Sequence, residues 1–341
     1  MLLLTTHMSK NQKKLTLLGE EILPGQSKTL YLELARLPTA TKLKIPVIVS
    51  RSKKPGPTVL FSAGIHGDEI NGVEIVRQLI VRKLNKPDAG TIICIPVINI
   101  FGFVNQSREF PDGRDLNRVF PGSKKGSMAG RFAYYILKEV LPVVDFAVDF
   151  HAGGAKRFNA AQIRIVPGDP QLLELAQVFA APFILYSKNI SGSFRTAAEK
   201  AKVPMLLFEG GMSLDINPQI VHCGVNGVIR LLNFWQMRKD KDVPIASEAT
   251  ILERSGWVRA KASGFCHDRG FLGKFVQKGT VLCEITDPFG KFVQAIKAPH
   301  HGYVINANLG SIVYEGDALY HLSIEKSAAV ESQFYKNDGQ E

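Results

Sequence analysis

Four apolar runs punctuate this sequence, at residues 58–63, 91–97, 143–150 and 204–208. Each breaks off into glycine, asparagine, histidine or glutamate rather than into a charged helix. Uninterrupted runs of this length suit strands buried on both faces, which occur in parallel sheets covered by helices. Helical periodicity fills the gaps, from Val73 to about Leu84, 131–140, 170–180, 193–202 and 218–235, with further strand patterns at 29–34, 42–50, 161–166 and 183–186. The rhythm predicts an α/β fold with a mostly parallel mixed sheet and helices on both faces. In such sheets ligands bind at the C-terminal edge of the strands. That singles out the residues on which the runs end: His66 and Glu69 after 58–63, His151 after 143–150, and Glu209 after 204–208.

After a charged, proline-ended linker at 239–244 the texture changes to short strand patterns and glycines, with little helical periodicity. Val276-Gln277-Lys278-Gly279-Thr280-Val281-Leu282 recurs as Val313-Tyr314-Glu315-Gly316-Asp317-Ala318-Leu319, which predicts two equivalent β-hairpin halves. The expected organisation is an N-terminal extension at 1–44, a catalytic domain at 45–243, a small all-β C-terminal domain at 250–324 and a polar tail at 325–341. The 341 residues, 45% of them hydrophobic, suffice for such cores.

The net charge of +11 is diffuse, without a run of four Lys or Arg, so no nucleic-acid tail is written here. No stretch approaches the roughly twenty apolar residues of a membrane span, and Met1-Leu2-Leu3-Leu4 is too short for a signal peptide. The four cysteines, without a C-x-x-C pair, read as reduced thiols, and the expectation is a cytoplasmic protein that binds neither nucleic acid nor membrane. A homo-oligomer is left open.

His66 and Glu69 are three residues apart, a spacing that lets an imidazole and a carboxylate converge on one ion. Catalytic zinc takes three protein ligands and keeps a fourth position for water. With His151 and Glu209, four chemistry-bearing residues are expected on one edge of one sheet. The stretch 99–126, long and irregular, is rich in Gly, Pro, Asn and Arg, as functional loops are.

Gly64-Ile65-His66-Gly67-Asp68-Glu69, Asp115-Leu116-Asn117-Arg118-Val119-Phe120-Pro121-Gly122, Asp149-Phe150-His151 and Phe208-Glu209-Gly210-Gly211 occur in that order across residues 45–235. Together they resemble the succinylglutamate desuccinylase/aspartoacylase family, a branch of the carboxypeptidase A-like zinc hydrolases. The resemblance implies the zinc carboxypeptidase-like fold and one Zn2+ per chain, held by His66, Glu69 and His151. It implies Glu209 as general base and Arg108 as the oxyanion-stabilising arginine, with Arg114 a rival by position. Asn117 and Arg118 match the pair that clamps the substrate carboxylate. Asp149, two residues before His151, would orient a ligand or cap backbone N–H groups.

The segment 250–324 resembles the β-rich extension common in this family, and Ala298-Pro299-His300-His301-Gly302-Tyr303-Val304 is similar to the biotinyl/lipoyl barrel-sandwich pattern. Its hairpin-tip lysine, Lys291, lacks the M-K-M setting and reads as unmodified, and His300 and His301 read as surface or packing residues. The implied activity is hydrolysis of the amide bond of a small anionic N-acylated molecule such as an N-acyl amino acid. A metallocarboxypeptidase and a non-catalytic binding protein of the same fold are the alternatives. Arg157, Arg164 and Arg195 would suit an anionic acyl group, although surface placement accounts for each as well.

Overall fold

In the computed structural model, which describes residues 14–36 and 39–326, the four apolar runs lie side by side at the centre of one sheet. Strand Thr58–Ala63 runs parallel to Thr91–Ile95 on one side and to Phe146–Gly153 on the other, and Phe146–Gly153 runs parallel to Met205–Met212. Antiparallel strands flank this centre. Lys42–Arg51 and Ser27–Arg36 follow Thr91–Ile95, while Arg157–Ile165 follows Met205–Met212. Thr91–Ile95 is buried along its whole length, as its apolar sequence requires.

Alternation along these strands feeds two cores. Phe61, Val148, Phe150 and Phe208 point to one face and pack with Ile75, Leu79, Phe179 and Val228. Leu60, Ile93, Ala147 and Met205 point to the other, against Phe132, Ile136, Phe194 and Ala198. Helices therefore cover both faces, and their ends are written locally. Pro170 and Pro218 open the helices Pro170–Phe179 and Pro218–Phe234, where a missing N–H costs nothing, and Asp169 and Asn217 accept from Leu172 N and Ile220 N. Ser127 and Ser193 cap Met128–Glu139 and Phe194–Lys200 in the same way.

The segment after the linker does more than form a separate small barrel. Gly302–Asn308 pairs antiparallel with Arg157–Ile165, and Thr250–Leu252 runs parallel to Phe183–Tyr186, so the central sheet continues into it. Its remaining strands include a four-stranded sheet of Val293–Lys297, Val281–Thr286, Gly264–Asp268 and Ile312–Val313. The sequence repeat is visible as two like turns. Gly279 and Gly316 both adopt φ +90°, the left-handed region that favours glycine, and Val276, Val313, Leu282 and Leu319 enter one core. The expected tail falls, beyond Lys326, outside the described residues, as do residues 1–13 of the N-terminal extension. Among the described residues no helix is long and apolar enough to cross a membrane.

Candidate active site

The loop 64–69 leaves the strand Thr58–Ala63 through Gly64, at φ +64°, and passes so close to the short helix Ile100–Val104 that a Cβ on Gly67 would overlap the Gly102 backbone. Glu69 ends the loop as the residue before helix Ile70–Val81, which fixes its carboxylate at the strand edge. His151 lies within the strand Phe146–Gly153 itself.

These elements bring His66, Glu69 and His151 together, all three buried, with one ligand atom from each lying within 4.8 Å of the others. Glu69 is the hub. Its Oε1 lies 2.7 Å from His66 Nδ1 and accepts from Arg108 Nη1 at 3.1 Å, while its Oε2 lies 2.9 Å from His151 Nδ1 and accepts from Ala152 N at 3.2 Å. Each imidazole has a carboxylate on its other nitrogen. Asp115 Oδ1 is 3.2 Å from His66 Nε2, and Asp149 Oδ2 is 2.8 Å from His151 Nε2. Asp149 is itself held by Ser62 Oγ, which donates to its Oδ1 at 2.7 Å. A carboxylate behind a ligating imidazole fixes the ring's orientation and raises its basicity.

The electrostatics follow from this packing. Burial disfavours a charged His66, but the Glu69 charge and the contacts with Asp115 and Glu69 outweigh it and raise its pKa. His151, buried as well, is raised further by the charge and hydrogen bond of Asp149. Burial opposes ionisation of Glu69, yet the two imidazoles hold its carboxyl well below the usual range. Two imidazoles and a shared carboxylate, with carboxylates behind them, form a donor set that fits a zinc ion.

Glu209 stands beside this group. In the pairing of Met205–Met212 with Phe146–Gly153 it is the Cα partner of His151, and Phe208 and Phe150, one residue earlier in each strand, turn to the opposite, apolar face. Its Oε2 accepts from Asn159 Nδ2 at 2.8 Å, and Arg164 Nη1 lies 3.5 Å from its Oε1.

Arg108 reaches the group and Arg114 does not. Arg108 Nη2 donates to Asp115 Oδ2 at 2.8 Å in addition to its contact with Glu69, whereas the Arg114 side chain is exposed and pairs with Asp112 at 3.2 Å. Asn117 is buried, and its Oδ1 accepts from Phe194 N at 2.8 Å, so it also anchors the start of helix Phe194–Lys200. Arg118 is half exposed, its Nη1 donating to the Asn117 carbonyl at 2.7 Å.

The succinylglutamate desuccinylase/aspartoacylase catalytic domain model matches residues 55–235, more than half of the chain. This chain belongs to the succinylglutamate desuccinylase/aspartoacylase family. Among relatives, it is 28% identical over 291 residues to an N-alpha-acetyl-L-2,4-diaminobutyric acid deacetylase of Halomonas elongata, an alignment spanning 81% of this chain and 84% of that protein. The fold is shared with the product-bound ectoine utilization protein EutE (DoeB) of Ruegeria pomeroyi, with TM-score 0.78 and 23% identity over 88% of this chain and 95% of that one. It is also shared with a succinylglutamatedesuccinylase/aspartoacylase of Rhodobacter sphaeroides, with TM-score 0.76 and 23% identity over 89% of this chain and 96% of that one.

Of the three further arginines, for which the sequence left surface placement open, two are not exposed. Arg195 is buried and donates to Ser187 Oγ at 3.1 Å and Lys188 O at 3.0 Å, and burial together with the Arg164 charge lowers its pKa to about 10. Arg164 is part-buried beside Glu209, and Arg157 alone is exposed. His301 stacks on Phe275 and accepts from Lys278 N, and Lys291 stands on an exposed turn whose backbone is held by Asp287. Asp115, Ser62 and Asn159 carry no role that the sequence assigns. A polar residue in a strand or loop announces a role only once its partner is known, although Asp115 does open the D-L-N-R motif.

Proposed function

We propose that this protein is a zinc-dependent deacylase that hydrolyses the amide bond of a small, anionic N-acylated amino acid or related molecule. The observation that carries this reading is the pairing of Glu209 with His151 at the edge where His66 and Glu69 converge.

His66, Glu69 and His151 would hold the ion. Zinc bound there would acidify water and polarise the amide carbonyl. Glu209 projects from the same face as His151 and takes the proton of the attacking water, then delivers it to the departing nitrogen. Arg108, anchored on Asp115, supplies N–H donors to the oxyanion that forms at the carbonyl. Asn117 and Arg118 receive the substrate carboxylate. The guanidinium offers two parallel donors, and Asn117, with its Oδ1 committed to Phe194 N, presents its NH2 group. Asp149 and Asp115 keep the two imidazoles oriented.

A screen of N-acetyl, N-succinyl and N-formyl amino acids with zinc-loaded protein, including N-acetyl-L-2,4-diaminobutyrate, tests this. Release of free amine from at least one of them, with dipeptides and longer peptides left intact, is expected. Cleavage of peptides with no acyl-amino acid hydrolysed would overturn it.

A further inference from the structure

We propose that Asn306, in the β-rich C-terminal segment, is a positioning residue for Glu209 and acts through the amide of Asn159. The proposal rests on Glu209 being the general base. A carboxylate can only accept hydrogen bonds, so the group that Asn159 turns toward Glu209 Oε2, at 2.8 Å, must be its NH2. The Asn159 carbonyl oxygen then faces away and needs a donor. That donor is Asn306 Nδ2, at 2.7 Å. The order of the chain is thus forced: Asn306 donates to Asn159, and Asn159 donates to Glu209.

The backbone is built to hold this alignment. Pairing of Met205–Met212 with Arg157–Ile165 slips by one residue between Glu209↔Gln162 and Gly211↔Asn159, a bulge that turns the Asn159 side chain onto the Glu209 face. Asn159 and Asn306 are Cα partners where Gly302–Asn308 joins the central sheet, and both side chains are buried, each residue 3% exposed. A flipped Asn159 would set its carbonyl oxygen against the Glu209 carboxylate, and a flipped Asn306 would set its own oxygen against that of Asn159, so both amides keep this orientation although Asn306 Oδ1 has no partner among the described residues. Among the described residues Glu209 Oε1 has only the longer 3.5 Å contact with Arg164, so the Asn159 bond is the tighter constraint on the carboxylate. The C-terminal segment would then complete the active site by fixing which way one amide points.

The test compares Asn306→Asp, Asn306→Leu and Glu209→Gln with the parent. It uses zinc-loaded full-length protein, N-acetyl-L-2,4-diaminobutyrate as substrate and a crystal structure of each variant as a readout that needs no turnover. In Asn306→Asp the new carboxylate draws the Asn159 NH2 toward itself and leaves the Asn159 carbonyl against Glu209. A kcat about 10- to 100-fold lower is expected, with KM within about twofold, together with a displaced Glu209 carboxylate. Asn306→Leu forces no such flip and should lose less. A purely structural role predicts lower melting temperatures for both but parental kcat per folded, zinc-loaded molecule. That result, or a Glu209 carboxylate still bonded to Asn159 NH2 in Asn306→Asp crystals, overturns the proposal. If Asn306→Asp does not fold, Asn159→Asp replaces it with the same expectation, and parental kcat there is equally decisive against it. Parental kcat in Glu209→Gln would instead remove the general-base reading, while an inactive Glu209→Gln beside a fully active Asn306→Asp removes only the relay.

Discussion

Glu209 and His151 are Cα partners across two parallel strands, so a carboxylate and an imidazole distant in sequence leave the same face of the sheet side by side. Their spacing is set by backbone pairing in a sheet with an apolar core on each face, rather than by a loop that must be ordered. Rigid elements hold reacting groups more closely than loops do.

Glu69 is the residue the site can least spare. It accepts from His66, His151, Arg108 and Ala152 N, and all of these groups are partly or fully buried. Glu69→Ala should abolish stoichiometric zinc binding and destabilise the metal-free protein by about 3–5 kcal/mol, because buried cationic groups lose their counter-charge. Metal analysis and urea denaturation of the chelated protein check the two parts separately.

Zinc binding should release protons and weaken as the pH falls. His66 and His151 have pKa values raised above the ordinary 6.5 in the metal-free site, and zinc takes deprotonated imidazoles. For the two histidines in the metal-free protein the sign is opposite, and for Glu69 it is the same. The stability these histidines contribute is complete below pH 6.5 and is lost as the pH rises through their raised values, while that of Glu69 is present above pH 4.5 and lost as the pH falls through its depressed value. Calorimetric titration in two buffers of different ionisation enthalpy reads the proton release directly, and zero release would contradict the assignment.

Arg108 and Arg114 should separate cleanly. Arg108→Lys, which loses the fork that spans Asp115 and Glu69, is expected to reduce kcat by about 10²- to 10³-fold, the range for an oxyanion donor. Arg114→Ala, at an exposed side chain on Asp112, should stay within about twofold. Steady-state kinetics of both variants decide the matter.

Arg118→Ala should act mainly on binding. Loss of a charge-assisted contact to the substrate carboxylate predicts a KM roughly 10- to 100-fold higher with a smaller change in kcat. A fall in kcat at unchanged KM would place Arg118 elsewhere in the mechanism.

The central parallel strands were legible because uninterrupted apolar runs ending on polar residues leave few alternatives in an α/β chain, while the grouping of His66, Glu69 and His151 was legible through motifs that resemble the family's. The short helix Ile100–Val104 inside an apparently irregular stretch was not, since five residues carry little periodicity. The burial of Arg195 was also hidden, because its partners are Ser187 Oγ and backbone carbonyls that no pattern marks. Least legible was the seam between Arg157–Ile165 and Gly302–Asn308. It depends on antiparallel pairing between distant segments and on a bulge that redirects Asn159, and neither hydrophobic alternation nor motif spacing encodes such a register.

The account stands most directly on where one ion binds. Crystals of the zinc-loaded protein, measured on both sides of the zinc absorption edge, should show a single strong anomalous peak per chain within coordination distance of His66, Glu69 and His151, adjacent to Glu209. A peak at another set of side chains, or none at these three in protein that hydrolyses an N-acyl amino acid, would contradict it.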